Sequence, residues 1–174
     1  ERKGEKVDVK KSVRHKNYSV ILLGYNHIGE SLTTSLEKLK KRFLVVDYDP
    51  EVIDRLIEKK IHCFYSDVED ENLFEEVDFG KAKLIVSGIK KSDINLALIG
   101  KIREVNEKCI IIVVSEGVEE AFKCYNNGAT YVIMPEYLSG HQLASLIDHF
   151  GIDLTKFLSQ KDKHLEQLNL IKDV

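Results

Sequence analysis

Three cysteines, Cys63, Cys109 and Cys124, are all that the 174 residues contain, and no two stand at Cys-x-x-Cys spacing. That excludes a zinc ribbon or a disulfide framework and makes a reducing, cytosolic compartment the expectation. Cys63 and Cys109 fall in apolar runs, where cysteine acts as a small hydrophobe. Cys124 is a candidate redox-sensing thiol, although no cationic cluster flanks it. An excess of basic charge is also missing. The formal net charge of -3 gives no electrostatic reason to expect nucleic acid. Apolar runs such as Val20-Ile21-Leu22-Leu23 are far short of the roughly 20 residues that cross a bilayer. No secretory signal is visible, and the first residue is Glu1 rather than Met, so excision from a longer protein is expected.

What is present reads as one globular domain with a tail. Apolar residues make up 43% of the chain and charged residues 32%, the balance of a soluble fold. Residues 1–17 form a charged linker or arm, read as a solvated tether. Its Lys10, Lys11, Arg14 and Lys16 would meet anionic lipid headgroups if a membrane span lay upstream. From Tyr18 the pattern becomes short β-rich runs alternating with amphipathic stretches. Strands are predicted at Ser19–Leu23, Phe43–Val46, His62–Tyr65, Leu84–Ser87, Cys109–Val114 and Tyr131–Ile133. Continuous rather than alternating apolar character marks strands buried on both faces of a parallel sheet.

Helical stripes lie between them: Ile28, Leu32, Leu36, Leu39; then Val52, Ile53, Leu56, Ile57; then Ile94, Ala97, Leu98, Ile102, Val105. Strand–helix alternation predicts right-handed βαβ units. Residues 18–135 are therefore expected to be a Rossmann-like, doubly wound, six-stranded parallel sheet of order 3-2-1-4-5-6. Residues 136–174 read as helices, with one stripe at Leu138, Leu143, Leu146, Ile147 and Phe150. A second follows at Leu154, Phe157, Leu158, Leu165, Leu168 and Ile171. With no sheet to cover, this tail is a candidate dimer contact.

The first strand runs straight into Gly24-Tyr25-Asn26-His27-Ile28-Gly29. In the G-x-G-x-x-G fingerprint the first glycine makes the tight turn and the third allows close helix–strand packing. The second lets the backbone approach a pyrophosphate. Gly24 and Gly29 hold the first and third positions; Asn26 holds the second. Backbone amides at a helix start still attract an anion, and asparagine tolerates a positive φ, which keeps the turn feasible. Asp47 closes the second strand about 20 residues further on, where an acid would hold ribose hydroxyls and favour NAD over NADP. Asp49-Pro50 is a helix-entry signal, so Asp47 also reads as an ordinary strand-end residue.

These blocks resemble the regulatory nucleotide-binding domains of potassium transport systems, called TrkA-N, KTN or RCK domains. The likeness is strongest to those of Kef-type cation/proton antiporters and potassium channels. It covers about Tyr18 to Phe150 and includes the Val20–Gly29 and Val45–Pro50 blocks. Tyr65-Ser-Asp-Val-Glu-Asp70, Asn95 and Gly128-Ala-Thr-Tyr-Val-Ile-Met-Pro135 carry the rest.

The resemblance implies a domain that dimerises, binds NAD(H) or AMP/ADP, and gates a membrane cation transporter or channel, fused or as a separate subunit. It would lie at the cytoplasmic face of the membrane without a span of its own. Phosphate would lie on the backbone of Gly24, Tyr25, Asn26, His27, Ile28 and Gly29, and ribose on Asp47. Tyr48 would flank the adenine, and Asp67 with Val68 would read its edge. Ser87 and Gly88 would line the pocket near the distal half. With no small α/β lobe after the sheet, a cyclic-dinucleotide site is not expected.

A small NAD-dependent oxidoreductase would need a substrate domain and a proton donor beside the nicotinamide. Neither is visible. The histidines at 15, 27, 62, 141, 149 and 164 fall in no Ser/His/Asp or Tyr/Lys constellation, and none reads as a metal ligand. No catalytic residue is therefore assigned. A soluble redox or energy sensor acting on a non-membrane partner would share every nucleotide-site feature.

Overall fold

Continuous apolar runs become the centre of a six-stranded, all-parallel sheet of order β3-β2-β1-β4-β5-β6. The computed structural model describes residues 17–172, with side chains through 169. The basic residues of the expected arm and the side chain of Ile171 lie outside the described residues. In chain order the elements are β1 (Val20–Leu23), α1 (His27–Lys38), β2 (Phe43–Asp47), α2 (Pro50–Glu58) and β3 (Cys63–Tyr65). A single turn, α3 (Leu73–Glu76), and a 3-10 turn (Phe79–Lys81) lead to β4 (Leu84–Ser87) and α4 (Ser92–Val105). Then come β5 (Ile110–Val114), α5 (Val118–Asn126) and β6 (Tyr131–Ile133), followed by α6 (Pro135–Phe150) and α7 (Leu154–Lys172).

Alternate strand residues point to opposite faces, and each face has its own core. Ile21, Leu23, Leu44, Val46 and Ile85 join Leu98, Ile99 and Ile102 of α4 and Ala121 and Cys124 of α5. Val20, Leu22, Val45 and Val86 join Leu36 of α1 and Val52, Ile53 and Leu56 of α2. Each fully buried Leu or Ile contributes about 1.5–3 kcal/mol. Helices on both faces thus hold the strands, and the strand order reverses between β1 and β4.

Differences from the predicted elements are small and have local causes. Ser19 and His62 sit just outside their strands but still take part in the ladder, Ser19 donating to Arg42 O and His62 O accepting from Val45 N. Leu39, Ile57 and Val105 end their stripes in solvent. Both α1 and α2 close on a lysine at positive φ, Lys40 at 51° and Lys60 at 58°. In each, the next amide returns to the helix, Lys41 to Leu36 O and Ile61 to Leu56 O. That is the glycine-type helix stop made without glycine. α5 buries only Ala121 and Cys124, leaving Val118, Phe122 and Tyr125 exposed.

The chain divides into two compact units at Met134/Pro135. In the second, α6 has no buried residue, and Phe150 meets Phe157 edge-on at 5.5 Å. Leu138, Leu143, Ile147, Leu158, Leu165 and Leu168 are exposed.

Candidate nucleotide site

Gly24 turns the chain out of β1 at φ +82°, a conformation that favours glycine. Its amide still donates to Val46 O, 2.9 Å, so the turn begins inside the ladder. Asp47 holds the next residue of the turn and its own strand exit together. One of its carboxylate oxygens accepts from the Tyr25 amide at 2.6 Å and the other from the Asp49 amide at 2.8 Å. At 7% exposure this side chain is buried and held by those two bonds, yet a carboxylate offers about four acceptor sites. Two remain for hydroxyl groups. Asp49 caps α2 through the Glu51 amide at 2.9 Å.

Gly29 sits where a Cβ would come within 3.3 Å of Gly24 O and 3.1 Å of the Tyr25 ring. This is the close packing expected of the third glycine. Asn26 departs from the expectation made for it. Its φ is −100° and its ψ −167°, so the residue is extended and no positive φ has to be tolerated. It works through its side chain: Oδ1 accepts from the Ile28 amide at 3.0 Å and the Gly29 amide at 3.4 Å. Nδ2 donates to Gly88 O at 2.7 Å. One asparagine therefore caps α1 and ties the turn to the end of β4.

Around these groups lies a cleft of ≈ 480 Å³ at the carboxyl ends of β1 to β4. In open α/β sheets this is where ligands lie, at the point of strand reversal. Of the residues named from the sequence, Gly24, Tyr25, Asn26, Asp47, Tyr48, Asp67, Val68 and Gly88 line it together. His27, Ile28 and Gly29 do not; they form the first turn of α1. Ser87 is placed differently from expectation. It is 2% exposed and donates inward to Asn95 Oδ1 at 2.7 Å. Asn95, fully buried, donates to Ile89 O at 2.7 Å and Val114 O at 2.9 Å. This staple consumes the Ser87 hydroxyl and closes the β4–β5 side.

The lining also includes Ser66, Glu69, Ile89, Lys90 and Lys91, which the sequence pattern does not single out. Ser66 continues the β2–β3 ladder by donating to Asp47 O at 3.0 Å. Asp47, Asp49, Asp67 and Glu69 make the β2–β3 side acidic, whereas Lys90 and Lys91 stand after β4. Lys90 pairs with Glu116 at 3.3 Å in an exposed bridge, which contributes little to stability. Cys124, by contrast, is buried, and burial with Glu120 nearby pushes its thiol up. A reactive thiolate needs the opposite environment.

The model of the TrkA-N domain matches residues 20–135. The chain belongs to the TrkA-N family. Among curated relatives of this TrkA-N chain is the glutathione-regulated potassium-efflux system protein KefC of Klebsiella pneumoniae. It is 25% identical over 85 residues, which is 49% of this chain and 14% of that protein. The chain thus spans a small part of the relatives it matches.

Among solved structures, the TrkA-N domain of the inner membrane protein ybaL from Escherichia coli has TM-score 0.72 and 19% identity. The match covers 76% of this chain and 98% of that one. The Kef CTD of Shewanella denitrificans in AMP-bound form gives 0.65 and 19%, covering 86% and 90%. The GsuK channel bound to NAD gives 0.61 and 20%, covering 70% and 22%. These likenesses show the shared fold. Among the described residues no helix is long and apolar enough to cross a membrane.

Proposed function

We propose that this TrkA-N domain is a regulatory adenine-nucleotide sensor, acting at the cytoplasmic face of a membrane on a cation transporter or channel. The observation that carries the reading is the cleft at the strand reversal, with Asp47 held at its floor beside the Gly24 turn. Its polarity suits a nucleoside phosphate: acceptors stand on the β2–β3 side for ribose hydroxyls and the adenine edge. Lys90, Lys91 and the Gly24–Asn26 turn stand on the β1 and β4 side for phosphate. Tyr48, 69% exposed, offers a ring for the base.

AMP, ADP and NAD(H) all belong to this ligand class, and the AMP-bound Kef and NAD-bound GsuK relatives support it. The KefC relatives support potassium or another cation as the transported species. The transporter would be fused to the domain or be a separate subunit. Nucleotide binding would favour one arrangement of a homodimer formed through residues 136–174, and the arrangement would set the transporter's state. For this the ligand must bind the two arrangements with different affinity.

A thermal-shift series with AMP, ADP, ATP, NAD+ and NADH tests the first step. A binding nucleotide raises the melting temperature with concentration, by the equivalent of about 2.7 kcal/mol at a hundred times its Kd. No rise with any of the five would sink the reading.

A further inference from the structure

A dinucleotide in this fold needs both halves of the carboxyl edge. Its adenosine half lies over β2 and β3, and its other half must cross from β1 to the end of β4. The second glycine of the fingerprint keeps that crossing open, because a hydrogen there lets the pyrophosphate reach the backbone.

Here the crossing is occupied. The Asn26 side chain leaves the turn and reaches Gly88 O at 2.7 Å, joining the two strands between which the order reverses. It lies flat against its partner: a Cβ on Gly88 would be 2.8 Å from Asn26 Nδ2 and 3.0 Å from Oδ1. Its Oδ1 meanwhile takes the Ile28 and Gly29 amides, two of the donors that a helix start offers an anion. The β2–β3 side is untouched by this bridge. Asp47, Tyr48, Ser66, Asp67 and Val68 all face the cleft there.

We infer that Asn26 determines specificity in this cleft, bridging β1 to β4 so that the site accepts an adenine mononucleotide and disfavours a dinucleotide. The inference rests on the nucleotide-binding reading and sharpens it. A mononucleotide seats on the β2–β3 side with the bridge in place. A dinucleotide must first break the Gly88 bond and uncap α1.

Calorimetric titration of AMP and NAD+ into the wild-type chain, Asn26→Gly and Asn26→Ser tests this. Glycine is nearly as good a helix cap as asparagine, and serine keeps a capping oxygen but is too short to reach Gly88. Wild type is expected to bind AMP at least about tenfold more tightly than NAD+, the scale set by one lost cap and one lost hydrogen bond. Both variants are expected to raise the NAD+/AMP affinity ratio about tenfold, because the freed α1 amides serve the phosphate of either nucleotide while only NAD+ needs the Gly88 crossing. Should Asn26→Gly melt far below wild type, Asn26→Ser decides alone. An NAD+/AMP ratio unchanged in the folded variants, or a wild type that prefers NAD+, overturns the role of Asn26 while leaving nucleotide binding intact. If neither nucleotide binds any of the three, the nucleotide reading falls, and this inference with it.

Discussion

The two ends of the sheet are built from similar polar residues to opposite effect. At the amino end, Arg103 near the close of α4 spends its guanidinium on the fold. It donates to Gly128 O at 2.9 and 2.7 Å and to Cys109 O at 2.7 Å. It also reaches Asn106 O, Glu107 O and Thr130 Oγ1. Asn106 fastens the same end by donating to Phe79 O at 2.9 Å and Ala82 O at 2.8 Å. Every acceptor there is a backbone carbonyl or a neighbouring hydroxyl, and the loops are sewn shut. At the carboxyl end over β1 to β3, Asp47 also binds backbone, but it retains acceptor capacity and faces a cleft. One end fixes the frame; the other leaves polar groups facing an open cleft. Asn95 marks the border, sealing the carboxyl side of β4 and β5.

That contrast breaks most sharply at Arg103. Arg103→Ala strands several carbonyls and is expected to cost about 2–4 kcal/mol of stability. Denaturant unfolding reads this, and nucleotide affinity in the protein still folded stays unchanged. A loss of affinity without loss of stability would mean that the two ends are not separable in this way. Asp47→Ala is the converse cut. It is expected to weaken AMP binding by about 1–3 kcal/mol, the loss of charge-assisted bonds to ribose. Its effect on stability is smaller, since only the Tyr25 and Asp49 amides lose a partner. Unchanged calorimetric affinity would remove Asp47 from the site.

The smallest effect concerns neither end but the core between them. Burial pushes the Cys63 thiol up from its ordinary value of 9.0 to about 11, and Asp54 adds to the shift. A folded pKa above the unfolded one means a contribution present in full below the unfolded pKa and lost as pH rises through the folded one. The melting temperature should therefore fall between pH 9 and about 11. Cys63→Ala should give a lower but flatter alkaline limb, with Cys109 and Cys124 keeping some slope because burial raises them too. An identical slope in the variant would show that Cys63 does not titrate in this window.

The frame was legible in the sequence because a parallel sheet buries both faces of each strand, and runs such as Val20–Leu23 and Ile110–Val114 show it directly. α5 was not, since its buried side chains are the small Ala121 and Cys124 while its larger apolar residues face solvent. The cleft was legible where chemistry and spacing coincide, since Gly24 and Asp47, named from the fingerprint, line it together. It was misplaced at Ser87, whose position at a strand end suits a pocket equally well. Only the partner on α4, Asn95, turns the hydroxyl inward. Asn26 was visible as a departure from the fingerprint, but its reach to Gly88 depends on the fold bringing β4 beside β1. Lys90 and Lys91 belong to no motif in the sequence, and only the fold brings them to the same cleft as Asp67.

The place of β1 in the sheet has a consequence for how the chain is made. Its residues pair with β2, Val20 opposite Phe43, and on the other side with β4, Val20 opposite Leu84. The first partner is close in sequence, while the second requires a much longer loop to close. During synthesis β1 to β3 emerge first, and β1 then presents a bare apolar edge until β4 arrives. The last step that removes this edge is non-local and hence slow. A nascent chain halted between Tyr65 and Leu84 is the form most exposed to aggregation or chaperone capture.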